Sequence, residues 1–172
     1  YFRLFAATDL FVIYDCVQFA RRGWGQRNRL PDSNGNPRWL TLPLAKAPRD
    51  VAIKDLAFVP DAEARFAKEM RRFPSLEIKT DPLPPLLSAL KDVKGTPVDY
   101  VIRLLELTCR ELGLSFRTVR SSALGIDPSL KGQDRILAIA RAVGAKIYVN
   151  PPGGRELYDP NVFAAQNISL RF

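Results

Sequence analysis

The sequence predicts an α/β fold in which a mostly parallel sheet is flanked by helices in three layers, forming one domain over residues 1–172. Short continuous apolar runs have the length of strands buried on both faces. Amphipathic helical patterns with recognisable starts and stops lie between those runs. The length of 172 residues also fits one domain of roughly 150 residues and leaves little room for a second.

Residues 10–14, Leu-Phe-Val-Ile-Tyr, form the first apolar run, which ends at Asp15. Similar runs occur at Trp39–Leu44, Phe116–Val119 and Lys146–Val149, with weaker ones at Val51–Phe58 and Ile168–Phe172. Thr96-Pro97-Val98-Asp99 has the form of a capping box with proline at the first helical position. Val101, Leu104, Leu105, Thr108, Cys109 and Leu112 then share one helical face, and Gly113 stops it. A second helix starts at Asp127 or in the turn after it, carries Ile136, Ile139, Ala140 and Val143 on its apolar stripe, and ends at Gly144. Weaker helical patterns fit Asp61–Arg72 and Pro84–Lys91. The segment from Pro31 to Pro37 reads as a hairpin tip or loop, and Pro74 to Pro85 as a connector within the domain. The layout expected from these elements is Rossmann-like.

Composition limits the chemistry. The chain has no histidine, which excludes Ser-His-Asp and Cys-His catalysis and every histidine-containing metal motif within these residues. Neither a metal site nor a cofactor is expected. The formal charge of +8 is uneven. Residues 1–49 carry eight basic side chains and three acids, so +5 lies at the front of the chain. That excess suits an anionic partner, and the preference for arginine, 18 against 8 lysines, suits planar bidentate recognition. Cys16 and Cys109 lack CxxC spacing, and no stretch approaches 18 apolar residues. A reducing, cytoplasmic protein without a membrane span is therefore expected. Tyr1-Phe2-Arg3-Leu4-Phe5 already reads as structured chain, so a short preceding segment is expected as well.

In open α/β sheets the ligand crevice lies beyond the carboxyl ends of the strands. Three strand ends are polar there. The first gives Asp15 and then Gln18; the second gives Arg120-Ser121-Ser122; the third gives Asn150-Pro151-Pro152-Gly153-Gly154-Arg155, whose glycines allow backbone amides to approach an oxygen-rich ligand. Asp or Ser after a strand is also ordinary turn chemistry. Phe19, Arg21, Arg22, Trp24, Arg27, Asn28, Arg29 and Arg38 form the densest basic and aromatic segment. It reads either as a clamp for phosphates that stacks a planar group, or as a basic surface loop whose Trp24 caps the core. Cys16 reads as a small buried thiol more readily than as a nucleophile, and Cys109 reads as core.

These residues carry a resemblance. Asp15-Cys16-Val17-Gln18-Phe19, Arg21-Arg22-Gly23-Trp24, Arg27-Asn28-Arg29 and Trp39-Leu40-Thr41-Leu42-Pro43 resemble the WbqC-like family of bacterial proteins. The resemblance continues at Arg120-Ser121-Ser122, Leu124-Gly125, Gly144-Ala145, Tyr148, Gly153-Gly154-Arg155, Tyr158, Leu170 and Phe172, nearly the whole chain. Cys16 stands where the family usually has a second Asp, Arg21 where Lys is usual, and Asn150-Pro151 replace a Ser-Gly pair. A Gln-Pro-x-Tyr-x-Pro motif that the family places just before the equivalent of Tyr1-Phe2 is absent.

The resemblance implies a setting in surface polysaccharide (O-antigen) synthesis and transfer of glycine or another small acyl or aminoacyl group to an amino sugar. In that reading Asp15 is the general base or orients the attacking amine, with Gln18 assisting. Arg22, Trp24, Arg27, Asn28 and Arg29 hold an anionic donor or nucleotide sugar, while Arg120, Ser121, Ser122, Gly153, Gly154 and Arg155 bind oxyanion or phosphate oxygens. Two alternatives stay open: an RNA- or anion-binding module using segment 19–39, although no recognised RNA motif occurs, and a nucleotidyltransferase-like enzyme, whose catalytic histidines this chain lacks.

Overall fold

The computed structural model describes residues 2–21, 23–78 and 80–172. In chain order the elements are α1 (Phe2–Ala7), β1 (Phe11–Ile13), β2 (Arg27–Pro31), β3 (Pro37–Thr41), α2 (Ala62–Met70), α3 (Pro85–Lys91), α4 (Pro97–Glu111), β4 (Thr118–Arg120), α5 (Gly132–Ala142), β5 (Ile147–Val149), α6 (Pro160–Ala164) and β6 (Ser169–Arg171). Short 3-10 turns occur at Ile53–Asp55, Pro74–Leu76, Ser121–Ala123 and Pro152–Leu157. The chain divides into two compact units, one formed by Tyr1–Asp15 with Leu112–Phe172 and the other by Cys16–Glu111.

In the first unit β1 pairs in parallel with β4, Phe11 opposite Thr118 and Ile13 opposite Arg120. β5 pairs in parallel with β6, Ile147 opposite Ser169 and Val149 opposite Arg171. The core of this unit gathers Ile136, Leu137 and Ala140 from α5, Phe163 from α6 and Ile168, with Tyr14, Tyr148 and Tyr158 packed against them. Phe5 stacks on Phe11 with ring centroids 4.3 Å apart and lies 5.4 Å from Phe116. α5 ends where the sequence indicates: Gly144 has φ +67°, its amide donates to the Arg141 carbonyl, and the Ala145 amide donates to that of Ala140 at 2.8 Å. This is a Schellman cap, and its left-handed position favours glycine. The start of α5 differs from the broader expectation. Asp127 instead closes a turn, its side chain accepting from the Ser129 amide at 2.8 Å, so the helix begins at Gly132.

In the second unit β2 and β3 form an antiparallel hairpin with Arg29 opposite Trp39 and Arg27 opposite Thr41. The tip is built by Asp32, whose carboxylate accepts from the amides of Asn34 and Asn36 at 2.9 and 3.0 Å, with Gly35 at φ +79°. Leu40, Ala62, Phe66, Met70, Phe73, Val93 and Tyr100 form the core. Tyr100 is 1% exposed, and its hydroxyl donates to the Leu90 carbonyl at 2.7 Å. At the start of α4 the Thr96 hydroxyl accepts from the Asp99 amide at 3.1 Å and donates to the Asp99 carboxylate at 2.6 Å. The box therefore closes through the hydroxyl.

Two expectations change. Among the described residues the strands pair two by two, in three separate sheets, where a single mostly parallel sheet was expected. The run Trp39–Leu44 contributes β3 to a hairpin because its partner, β2, is basic and largely exposed, and such a strand cannot sit inside a sheet covered on both faces. Val51–Phe58 yields a 3-10 turn and isolated bridges at Ala52 and Phe58. No helix among the described residues is long and apolar enough to cross a membrane.

Candidate functional site

The parallel register of β1 and β4 brings their carboxyl ends together in the first unit. Asp15 lies two residues beyond β1, and the Ser121–Ala123 turn follows β4 directly. Asp15 is fully buried. Its Oδ1 accepts from the Ser121 hydroxyl at 3.0 Å and the Ser122 amide at 2.9 Å. Its Oδ2 accepts from Arg120 Nε at 2.7 Å and the Ser122 hydroxyl at 2.8 Å. The Asp15 amide in turn donates to the Ser121 hydroxyl at 3.1 Å. Burial pushes the Asp15 carboxyl upward, but the Arg120 guanidinium and the amide and hydroxyl donors of Ser122 and Ser121 outweigh it, so the group is held below the usual carboxylate range.

A carboxylate offers about four lone-pair positions, and all four are occupied here. Accepting a proton from a substrate would require breaking one of these bonds, and the lowered proton affinity works against it. These four donors hold the Asp15 carboxylate in place between the ends of β1 and β4. The structure does bring Asp15, Arg120, Ser121 and Ser122 together, as the strand-end reading required.

The loop after β5 behaves differently from its glycine-based expectation. Gly154 is buried, and its amide donates to the Pro151 carbonyl at 2.9 Å. A Cβ at this position would lie 1.9 Å from Asn150 Nδ2. Glycine is thus needed for close packing, and its amide is already used. Gly153 has open space around its Cα. Arg155 lies over the Phe172 ring, 5.5 Å from its centroid. Tyr148, which sequence reasoning did not place at the site, contacts both neighbours of this loop: its hydroxyl lies 3.4 Å from Asn150 Oδ1 and 3.4 Å from the Tyr158 hydroxyl.

The basic segment belongs to the second unit. Gln18 donates to the Arg49 carbonyl at 2.9 Å and belongs to the second unit, whereas Asp15 belongs to the first. Arg22 lies outside the described residues. Asn28 is exposed, and its side chain accepts from the Arg29 amide at 2.8 Å. Arg27 and Arg29, two residues apart on one strand, project to the same face as Trp39. Their guanidinium carbons lie 4.0 and 4.6 Å from the Trp39 ring centroid. Trp24 meets the Trp39 ring edge-on at 4.9 Å and remains 62% exposed. The reading of Trp24 as a cap over the core is thus corrected: it stands on an exposed arginine-tryptophan platform. Trp39 is the residue sequence reasoning left out of the site. Counting back from the Asp32 turn would have found it, since the hairpin register sets it opposite Arg29.

Each cation–π contact in such a setting is worth about 0.5–1 kcal/mol, and it holds the guanidinium plane while leaving its edge for hydrogen bonds. Arg29 is exposed and has no carboxylate within ion-pair distance among the described residues. No cluster of three or more potential metal-ligating side chains occurs among those residues.

Comparison with known proteins adds the following. A family model described as the WbqC-like protein family matches residues 1–172. The chain is similar to "Uncharacterized protein Rv1507c" of Mycobacterium tuberculosis (strain ATCC 25618 / H37Rv), with 28% identity over 187 residues covering 99% of this chain and 74% of the relative. No solved structure matches. With the family model spanning every residue, and with the strand-end cluster and the basic hairpin falling on the motifs that suggested the resemblance, the chain belongs to the WbqC-like protein family.

Proposed function

We propose that this chain is a transferase of bacterial surface polysaccharide synthesis that passes a small acyl or aminoacyl group, such as glycine, to an amino sugar carried on a nucleotide. The observation that supports this reading is the platform of Arg27 and Arg29 over Trp39 with Trp24 exposed beside it. A nucleotide sugar is a planar base joined to a diphosphate. An exposed indole offers the base a stacking surface, and a held guanidinium offers the diphosphate a bidentate partner. Asp15, Arg120, Ser121 and Ser122 then serve as a rigid anchor at the ends of β1 and β4, where open α/β sheets carry their ligands.

The two tryptophans of the chain, Trp24 and Trp39, are both in the platform, so tryptophan fluorescence, excited at wavelengths where tyrosine does not absorb, reports on it alone. Titration with a UDP-linked amino sugar is expected to quench that emission, and Arg29→Ala is expected to weaken binding by about tenfold or more, the equivalent of one charge-assisted contact. A generic RNA oligonucleotide that quenches more strongly, with a steep salt dependence, supports the binding-module alternative instead. Absence of any response to nucleotide sugars up to millimolar concentration overturns the proposal.

A further inference from the structure

The first unit contains a cleft of about 640 Å³ lined by α1, β1, α5 and β5. β1 is paired on one edge by β4, and β5 on one edge by β6; among the described residues neither strand has a ladder partner on its other edge. The direction of the remaining backbone groups follows from the ladder. Phe11 donates its amide to the Arg117 carbonyl on the β4 side, so the N–H and C=O of Val12 point to the opposite edge. On β5, Lys146 accepts from Ser169 and Asn150 donates to Arg171, both on the β6 side. By the same alternation the backbone groups of Ile147 and Val149 point away from β6. Val12, Ile147 and Val149 all line the one cleft.

Two sheet edges lining one cleft, mostly apolar but with Asp9, Lys146 and Arg171 also in its lining, define its occupant. A ligand with only side-chain-like chemistry would leave these amides and carbonyls unsatisfied, at a cost of about 1–3 kcal/mol each. A β-strand satisfies both edges at once. The walls are those of a strand buried on both faces, with Leu4 and Ala7 of α1, Ile136 and Ile139 of α5, and Val143 just beyond its end all lining the cleft.

We propose that the cleft is the seat of a fifth, central β-strand, formed by an extended apolar segment joined ahead of α1 and running parallel to β1 and β5. Connectivity selects this source. The other parallel strands already have their connections, whereas α1 leads directly into β1 and lines the cleft, as the crossover helix of a right-handed strand–helix–strand unit does. With that strand in place the spatial order becomes β4, β1, new strand, β5, β6. This is the order in which doubly wound sheets place their first strand at the centre.

The test joins a Val-Ile-Val-Ile strand and a Gly-Ser-Gly-Asp turn ahead of Tyr1 of the 172-residue chain and compares amide hydrogen exchange by NMR with the chain alone. The expected result is that the amides of Val12, Ile147 and Val149 exchange freely in the chain alone and slow by about 100-fold or more in the joined chain. A version with proline at alternate strand positions, which cannot donate, is expected to leave these rates as in the chain alone. If the joined chain precipitates, the same segment flanked by lysines and added as a free peptide carries the identical readout. Unchanged rates on joining or adding the strand overturn the proposal, as does equal protection by the proline version. Protection already present in the chain alone also overturns it: independent of concentration, it means that β1 and β5 close on each other; rising with concentration, it assigns the cleft to a second copy.

Discussion

Replacing Asp15 with asparagine separates an anchor from a base. Asparagine keeps one acceptor oxygen, so the bonds from the Ser121 hydroxyl and the Ser122 amide to Oδ1 survive. At Oδ2 an NH2 group would face Arg120 Nε, now 2.7 Å away, and the Ser122 hydroxyl at 2.8 Å. The hydroxyl can rotate to accept, but the guanidinium cannot. The loss is then one charge-assisted hydrogen bond, about 1.5–3 kcal/mol, together with a donor–donor conflict. Removing one partner of a fully buried pair costs about 3–5 kcal/mol. Here the Arg120 side chain is 33% exposed and regains some hydration, so a loss of about 2–3 kcal/mol is expected at pH 7.

The same change has a pH signature. Because the native Asp15 carboxyl lies below its ordinary value, the unfolded chain binds its proton first as pH falls. The stabilisation from Asp15 is therefore complete above the ordinary carboxylate range, near pH 4, and disappears as pH drops through the lowered native value. Asp15→Asn lacks this contribution. Urea unfolding from pH 7 to pH 2.5 is expected to show the two proteins separated by about 2–3 kcal/mol at neutral pH and converging below pH 4. A difference under about 1 kcal/mol at pH 7, or one that does not vary with pH, refutes the saturated anchor and returns Asp15 to the role of an accessible base.

Gly154→Ala should cost about 1–3 kcal/mol in thermal unfolding, because its Cβ meets Asn150 Nδ2 at 1.9 Å; in an Asn150→Ala background the cost should largely vanish, a coupling that a double-mutant cycle reads directly. In the folded protein a thiol reagent should modify Cys16, which is only half-buried, and spare Cys109, which is 0% exposed and whose thiol burial pushes up; equal modification of both would remove Cys109 from the core. Burial holds the Tyr100 and Tyr148 hydroxyls in their protonated form far above the usual phenol range, with Tyr158 adding to the effect at Tyr148. Their stabilisation is complete below about pH 10 and falls as pH rises beyond it, so Tyr100→Phe with Tyr148→Phe should flatten the alkaline limb of unfolding and remove two late steps from the ultraviolet titration.

How far these features could be read in the sequence depends on how local their causes are. The Thr96 cap and the Gly144 stop need only their own few residues, and both are present. β2 escaped notice because Arg27, Asn28 and Arg29 look like a solvated loop, and only pairing with Trp39 and Thr41 makes them a strand. Arg120, Ser121 and Ser122 were each visible as polar residues at a strand end. Their convergence on Asp15 across more than 100 residues was not, since it arises from the parallel register of β1 and β4. Gly154 was singled out for an exposed amide, whereas steric contact with Asn150 explains it.

The absence of histidine acquires its force from the state of Asp15. A chain without imidazole would ordinarily give the proton-transfer role to a carboxylate at the strand ends, and the carboxylate there is fully hydrogen-bonded by its own chain. On the transferase reading this leaves positioning and the arginines as the contributions of the protein to catalysis. Alignment of two bound reactants is worth up to about 7–11 kcal/mol, enough for an amine to attack an acyl group that is already activated and insufficient to activate a free carboxylic acid. The donor class consistent with this site is therefore a thioester or acyl phosphate: the amine nitrogen forms the new bond to the acyl carbon, the thiolate or phosphate departs with the electrons of the broken bond without needing a proton from a histidine, and the amine's proton passes to solvent. The exposed Arg29 beside Trp39 is suited to the negative charge that such a donor or a nucleotide sugar carries.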